Sequence, residues 1–146
     1  MSPIRVLFLC TGNSARSIIG AALLRQMGGD DFEVFSAGTR PKGINPYTIR
    51  VLEPLAIDLS GERSKSVSEY VHDKFDYVIT VCDGAAEECP VFAGASERIH
   101  WSLVDPAAVE GTDEKRLVAF KRTVREMNTR LATFVPAAKR KTGQST

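Results

Sequence analysis

The chain contains 146 residues, of which 43% are apolar, and its formal net charge is +1. This length suits one domain with a single core, and a charge so close to zero argues against a broad surface for nucleic acid or membrane lipid. No segment approaches the roughly 18 consecutive apolar residues of a membrane span, and the N-terminal residues lack the apolar core of a secretory signal, so we expect a cytoplasmic protein that is monomeric by default.

Strand-like and helix-like segments alternate along the chain. In the first half of the chain we predict a strand at 4–9, a helix that ends at Gly28 and Gly29, a strand at 32–38, and a helix that begins at Asn45 and ends or bends at Pro54. In the second half we predict a short helix at 66–74, strands at 76–81 and 97–102, and a long helix with an apolar stripe from Leu117 to Phe134. This alternation predicts an α/β fold with a four-stranded parallel sheet, flanked by helices on both faces.

The charge distribution separates a domain from a tail. Lys139, Arg140 and Lys141 lie in the last eleven residues, so the rest of the chain is slightly acidic. We predict a single catalytic α/β domain at 1–135 and a flexible, polar and basic tail at 136–146.

The three cysteines do not form a metal-binding pattern. Cys10, Cys82 and Cys89 are odd in number, have no Cys-x-x-Cys spacing and are accompanied by only two histidines, His72 and His100. This argues against zinc, and we expect neither a metal nor an organic cofactor. Cys10 and Cys82 follow the first and third predicted strands, and ligands of parallel sheets bind outside the carboxyl ends of strands. We therefore expect both cysteines at the functional edge of the sheet.

The loop after the first strand, "CTGNSARS" at 10–17, has the composition of an oxyanion site. A loop that leads into a helix directs backbone N–H groups towards one point, which the helix dipole makes electropositive. Gly12 allows unusual backbone dihedrals, and Asn13 and Ser14 can hold the curve through side-chain hydrogen bonds. The predicted oxyanion-binding residues are Thr11, Gly12, Asn13, Ser14, Ala15 and Arg16.

The same loop contains a candidate nucleophile. The positive field favours the thiolate form of Cys10, and Ser17 can add a hydrogen bond from its hydroxyl to the sulfur. Arg16 can offer two guanidinium N–H groups to two oxygens of a tetrahedral anion. Arg40 and Lys42 are candidates for a rim that attracts an anion, and a merely solvated loop explains them equally well.

Three motifs resemble landmarks of one superfamily. The Cys-x5-Arg-Ser stretch from Cys10, "SAGT" at 36–39 and "DP" at 105–106 are similar to those of the low-molecular-weight protein tyrosine phosphatases and of the thioredoxin-coupled arsenate reductases that share their fold. The resemblance covers roughly residues 4–130. It implies a phosphatase-like fold and a general-acid role for Asp105, which an Asp-Pro turn alone does not establish.

The other two cysteines separate the two reactions of this superfamily. A phosphocysteine needs only water to turn over, whereas an arsenate adduct of Cys10 needs two electrons from thiols. The resemblance to arsenate reductases implies that Cys82 attacks Cys10 and releases arsenite, and that Cys89 then attacks Cys82. The predicted function is therefore arsenate reduction by this three-cysteine relay, which a thiol reductant regenerates.

The reductant and two other functions stay open. The pair of Cys82 and Cys89 favours thioredoxin as the reductant, and the alternative is a mycothiol or glutathione system with a glutaredoxin-like protein. The other functions are a low-molecular-weight protein tyrosine phosphatase that uses a phosphocysteine, and a phosphate-binding or redox-sensing module without turnover.

The segment "CDGAAEECP" at 82–90 predicts a short, marginal helix with Asp83 as a candidate N-cap and Pro90 at its end. Such a helix separates the α-carbons of Cys82 and Cys89 by about 10 Å, beyond the roughly 7 Å that a disulfide allows. We therefore expect the helix to unwind or loop out when the two cysteines are oxidised.

A potassium site of some arsenate reductases is altered in this sequence. The resemblance implies ligation by an Asn, a Glu, a Ser and an Asp. Asn13 and Ser36 fit this set, but Ala21 and Lys65 replace the two carboxylates. A site that loses two carboxylates and gains an ammonium should not hold potassium. We expect Lys65 or its neighbours to stabilise the loop directly.

Overall fold

The computed structural model describes residues 2–90, 92 and 96–142. Its strands are β1 (Ile4–Cys10), β2 (Phe32–Gly38), β3 (Tyr77–Thr80) and β4 (Glu97–His100), and its helices are α1 (Arg16–Gly28), α2 (Pro46–Leu52), α3 (Asp83–Glu87) and α4 (Asp113–Thr142). Short 3-10 turns lie at Gly29–Asp31, Glu53–Leu55, Val67–Tyr70 and Pro106–Ala108.

The strands form one parallel sheet in the order β2-β1-β3-β4. Cys10 lies opposite Gly38 of β2, and Leu9 lies opposite Thr80 of β3. β1 is buried along most of its length, as a central strand covered on both faces requires. The predicted parallel α/β sheet is therefore confirmed, and the loops that follow β1 and β3 meet at one edge of it.

Different layers cover the two faces of the sheet. Helices α1 and α4 pack against each other and against β1. The apolar stripe of α4 is buried, and consists of Phe120, Val124, Met127, Leu131 and Phe134. On the opposite face, the rings of Phe35, Tyr70 and Phe75 have their centroids 5.5–6.2 Å apart, and the guanidinium of Arg5 lies over two of these rings. These two layers make one core around β1.

Several element boundaries differ from the predictions. The predicted helix at 66–74 forms only the 3-10 turn Val67–Tyr70, which begins where the Ser66 side chain accepts a hydrogen bond from the backbone N–H of Ser68. The third and fourth strands end at Thr80 and His100, earlier than predicted. Helix α2 begins as predicted, since the Asn45 side chain accepts a hydrogen bond from the backbone N–H of Tyr47.

Helix α4 continues past the predicted end of the domain at residue 135. It contains Pro136 and reaches Thr142, with Ala138 1% exposed and Lys139 Nζ 2.8 Å from Asp31 Oδ2. The prediction of a flexible tail is therefore wrong for 136–142, which form a packed helix. Residues 143–146 lie outside the described residues. Although α4 has 30 residues, neither it nor any other described helix is apolar enough to cross a membrane.

Candidate active site

The loop between β1 and α1 directs its carbonyl groups outwards. Each carbonyl from residue 10 to residue 14 accepts a hydrogen bond from a segment outside the loop. The donor and acceptor pairs are Thr39 to Cys10, Arg40 to Thr11, Lys42 to Gly12, Ser64 to Asn13, and both Asn45 and Thr48 to Ser14. The N–H and C=O groups of a trans peptide point in opposite directions, so the N–H groups that follow these carbonyls face inwards. Such an arrangement can bind an oxyanion, and we call the loop at 10–16 the cradle.

Asn13 supplies the unusual backbone conformation of the loop. Its φ angle is 44°, in the left-handed region that Asn tolerates better than most residues. The sequence interpretation placed this conformation at Gly12, which is wrong. Gly12 instead leaves room for Lys42, whose Cε would lie 2.8 Å from a Cβ at position 12.

Gly38 of the "SAGT" motif allows the loop to approach β2 closely. A Cβ at this position would lie 2.6 Å from the carbonyl oxygen of Thr11 and 2.9 Å from the backbone nitrogen of Asn13. Both contacts are with backbone atoms, which cannot move aside without deforming the loop. The motif therefore has a steric role in shaping the cradle.

Cys10 lies at the floor of the cradle and is 3% exposed. Its Sγ accepts a hydrogen bond from the N–H of Asn13 at 3.2 Å and lies 2.8 Å from Ser17 Oγ. Because Asn13 Nδ2 donates to Ser17 Oγ at 2.8 Å, the O–H of Ser17 is left to donate to the sulfur. Two donors, one from the backbone and one from a side chain, thus converge on the Cys10 sulfur.

Cys82 is 6% exposed and contacts the same loop. Its Sγ accepts a hydrogen bond from the N–H of Thr11 at 3.2 Å and lies 3.3 Å from Thr11 Oγ1. The structure therefore brings Cys10 and Cys82 to one edge of the sheet, where two N–H groups of one loop hold their sulfurs. Both cysteines are free thiols, as is Cys89.

Arg16 and Asp105 meet beside the cradle. Arg16 Nη1 donates to the carbonyl of Leu103 at 3.0 Å, and Nη2 lies 3.8 Å from Asp105 Oδ2. The other carboxylate oxygen of Asp105 accepts a hydrogen bond from the N–H of Ala107 at 3.0 Å and caps the turn Pro106–Ala108. One oxygen of Asp105 thus fixes the turn, while the other faces Arg16.

An open pocket of about 420 Å³ lies above Cys10. Its described lining residues are Cys10, Thr11, Gly12, Ser14, Ala15, Arg16, Arg40, Lys42, Asp105 and Ala107. Arg40 and Lys42 therefore lie on the rim. Together with Arg16 they give the described lining three positive charges against the single carboxylate of Asp105. The pocket therefore suits a small anion.

The segment between Cys82 and Cys89 is a shorter helix than predicted. Helix α3 spans Asp83–Glu87, and Cys82 rather than Asp83 occupies the N-cap position. The Asp83 carboxylate instead accepts a hydrogen bond from His100 Nε2 at 2.9 Å. Cys89 lies beyond the helix and is half-buried. Burial raises the pKa of the Cys89 thiol, and the positive charge of Arg98 acts in the opposite direction.

Lys65 is a buried cation behind the loop. Its backbone N–H donates to Asn13 Oδ1 at 2.8 Å. Its Nζ donates to Glu62 Oε1 at 2.6 Å, to the carbonyl of Arg63 at 2.7 Å and to Ser36 Oγ at 3.3 Å. Asn13 therefore connects Lys65 to the hydrogen bonds around Cys10, and it does so through the backbone N–H of Lys65 rather than through the ammonium.

These residues do not fit a potassium ion. Ala21 is 1% exposed and apolar, and the ammonium of Lys65 already contacts the hydroxyl of Ser36. Within the described part of the chain, no three His, Cys, Asp or Glu side chains are grouped so that they could hold a metal ion.

We expect Lys65→Met to destabilise the fold by about 2 kcal/mol, because the Glu62 carboxylate, 15% exposed, loses its buried lysine partner and keeps only the more exposed Arg25. Burial opposes ionisation of Glu62, but hydrogen bonds from Lys65 and Arg25 lower its pKa overall. The stabilisation is therefore present at neutral pH and is lost as the pH falls through that pKa. Urea denaturation at neutral pH measures the loss.

A double variant is the control for this pair. Lys65→Met combined with Glu62→Gln should recover most of the lost stability, since no buried charge remains unpaired. Turnover should also be equal in potassium and sodium salts. An unchanged urea midpoint for Lys65→Met, or a clear rate increase on adding potassium, contradicts this role of Lys65.

The chain is similar to known proteins along nearly its whole length. It matches the family "Low molecular weight phosphotyrosine protein phosphatase" over residues 5–144. An arsenate reductase of Halalkalibacterium halodurans is 37% identical over 134 residues, which are 92% of this chain and 96% of the relative. A thioredoxin-dependent arsenate reductase of Corynebacterium glutamicum is 30% identical with a TM-score of 0.65, over 90% of this chain and 64% of that one. A low molecular weight protein tyrosine phosphatase of T. tengcongensis supports the fold alone, with 22% identity and a TM-score of 0.73 over 92% and 99% of the two chains.

Proposed function

The chain belongs to the low molecular weight phosphotyrosine protein phosphatase family, and to the arsenate reductases within it, and on this premise we propose that it reduces arsenate through a relay of Cys10, Cys82 and Cys89. The observation that carries the proposal is that one loop holds two sulfurs, with the N–H of Asn13 on Cys10 and the N–H of Thr11 on Cys82. Phosphate hydrolysis needs only the first sulfur, whereas arsenate reduction through an internal disulfide needs both.

The first step is attack of the Cys10 thiolate on arsenate. The inward N–H groups of Gly12, Ser14 and Ala15 and the guanidinium of Arg16 bind the arsenate oxygens, while the N–H groups of Thr11 and Asn13 hold the two sulfurs and Ser17 donates to the attacking one. A sulfur–arsenic bond forms, and one oxygen leaves as water after it takes a proton from Asp105. The result is an arsenate adduct on Cys10.

The second step supplies the two electrons. The Cys82 thiolate attacks the sulfur of Cys10, a disulfide forms between them, and the electron pair of the sulfur–arsenic bond leaves with arsenic as arsenite. Thr11 supports this step, since its N–H and hydroxyl both lie within hydrogen-bond distance of Cys82 Sγ and hold that sulfur beside the loop of Cys10.

The third step transfers the disulfide outwards. The Cys89 thiolate attacks Cys82, which breaks the bond to Cys10 and frees the Cys10 thiolate for the next arsenate. Helix α3 has only five residues, so it can unwind at low cost to let Cys89 reach Cys82. A thiol reductant then reduces the 82–89 disulfide. The thioredoxin dependence of the Corynebacterium glutamicum relative favours thioredoxin over a mycothiol or glutathione system with a glutaredoxin-like protein.

A slow phosphatase activity is the second candidate function. The positively lined pocket, with Arg16 beside Asp105, contains what phosphocysteine formation requires, and phosphate is nearly isosteric with arsenate. Water, rather than Cys82, would then complete the cycle.

Arsenate mixed with the reduced chain in the absence of reductant tests the relay. We expect stoichiometric arsenite, a disulfide between Cys82 and Cys89, and a free Cys10, because the third step leaves the chain in that state. Thiol trapping followed by mass mapping identifies the pairing. Phosphate is the matched control and should leave all three thiols reduced. Arsenite release without an internal disulfide contradicts the proposal.

A further inference from the structure

The edge strand β4 holds both ends of the segment from Cys82 to Pro90. Arg98 and His100 are two positions apart on this strand and therefore lie on the same face of the sheet. His100 Nε2 donates to Asp83 Oδ1 at 2.9 Å at the start of the segment, and Arg98 Nη2 donates to the carbonyl of Pro90 at 2.7 Å at its end.

Arg98 reaches this segment beside Cys89. The thiol of Cys89 donates to the same Pro90 carbonyl, with Sγ 3.6 Å from the oxygen. The guanidinium and the thiol thus converge on one acceptor atom. The carboxylate of Glu88, next to Cys89 in the chain, pairs with Arg40 at 3.3 Å and is partly neutralised by it.

Deprotonation of Cys89 changes what these groups require. A thiolate cannot donate to the Pro90 carbonyl, and half-burial deprives it of water. A guanidinium has five N–H donors in a fixed fork, so Arg98 can keep its bond to the carbonyl while another N–H turns to the sulfur. A lysine has one ammonium and would satisfy both acceptors less well.

We propose that Arg98 is a positioning residue for Cys89. Arg98 holds the end of the segment and stabilises the Cys89 thiolate that attacks Cys82. This role of Arg98 rests on the proposed function, because that function identifies the attack of Cys89 on Cys82 as the step that Arg98 supports. In that step a bond forms between Cys89 and Cys82, the bond between Cys82 and Cys10 breaks, and its electron pair leaves on Cys10 as thiolate. The exchange needs no external oxidant or reductant.

The alkylation rate of Cys89 tests Arg98 independently of arsenate. In a full-length chain with Cys10→Ser and Cys82→Ser, iodoacetamide reacts with Cys89, and the rate against pH reports the thiolate. Arg98→Met should slow the reaction at neutral pH by about threefold to tenfold and move the profile to higher pH. Arg98→Lys should restore part of the rate, because it restores the charge. Arg122→Met is the matched control, since it removes an exposed arginine that pairs with Glu126 on α4.

Three outcomes contradict the inference. An unchanged profile for Arg98→Met shows that the guanidinium does not act on the thiolate. A faster reaction shows that the variant merely opens the segment and exposes Cys89. A slower reaction that Arg98→Lys does not restore shows a packing role without the charge.

A second readout follows the relay itself. After arsenate is added without reductant, Arg98→Met should release arsenite as fast as the parent chain but accumulate the disulfide between Cys10 and Cys82 about threefold to tenfold longer. Equal lifetimes contradict the inference. If neither chain forms that disulfide, the proposed relay fails, and the alkylation profile still decides whether Arg98 acts on Cys89.

Discussion

Cys82→Ser and Cys89→Ser should each lower multiple-turnover arsenate reduction by at least about a thousandfold, since each removes a nucleophile that forms a covalent intermediate. The two variants should stop at different steps. Cys82→Ser should release no arsenite, because no second sulfur attacks Cys10. Cys89→Ser should release stoichiometric arsenite once and stop with a disulfide between Cys10 and Cys82. Arsenite quantification in a single turnover, together with thiol consumption in many turnovers, measures both effects.

Phosphatase activity is the control for these two variants. Cys89→Ser leaves the loop of Cys10 untouched, and Cys82→Ser changes only the acceptor of the Thr11 N–H, so hydrolysis of an aryl phosphate should stay within about twofold of the parent rate. A serine at position 82 also keeps an oxygen that can contact Thr11. Full arsenate turnover by Cys82→Ser would eliminate the relay. Turnover that survives only in Cys89→Ser with glutathione or mycothiol would show that a small thiol, rather than thioredoxin, reduces the chain.

Much of the fold and the position of the two buried cysteines could be predicted from local patterns. Apolar runs and turn residues placed four strands, and parallel pairing follows from the helices between them. Because ligands bind at the carboxyl ends of parallel strands, Cys10 and Cys82 could be predicted to lie at the same edge of the sheet. These features depend on short-range sequence or on general topology.

The scaffold of the cradle depends on tertiary contacts and could not be predicted. The partners of its outward carbonyls come from 39–48 and from Ser64, more than 25 residues away along the chain. The stretch "GTRPKGINP" at 38–46 indicates irregular backbone, but no local pattern shows that its N–H groups meet this loop. Arg98 was missed for the same reason, since an exposed arginine on an edge strand carries no signal of its contact with Pro90.

Composition misled the prediction at the C-terminus. The residues after 135 are polar and basic, which is typical of a frayed end. Ala138 nevertheless extends the buried stripe of α4, and Lys139 pairs with Asp31 at the opposite end of the sequence. A helix whose residues 113–135 are already formed needs few further contacts to continue.

Asp105→Asn should lower the rate of the first chemical step by about 10²- to 10⁴-fold, the usual contribution of a general acid. The amide keeps an oxygen that can accept the hydrogen bond from Ala107, so the turn Pro106–Ala108 is retained. Asp105→Ala removes both the acid and the hydrogen bond that caps the turn. The difference in rate between the two variants therefore measures the contribution of the cap. Pre-steady-state arsenite release measures the effect for arsenate, and aryl phosphates measure it for phosphoryl transfer.

The leaving group distinguishes proton donation from a positioning role of Asp105. Phenolate from a phenyl phosphate needs a proton more than nitrophenolate does, so the defect of Asp105→Asn should be larger for the phenyl ester. Equal defects for both esters contradict the acid role.

The affinity of Asp105→Asn for phosphate should not fall with the rate of the chemical step. Asp105 Oδ2 lies 3.8 Å from Arg16, so its charge competes with an incoming anion for that guanidinium. Removing the charge should leave phosphate affinity unchanged or tighter while the chemical step slows, a combination that a collapsed pocket would not produce.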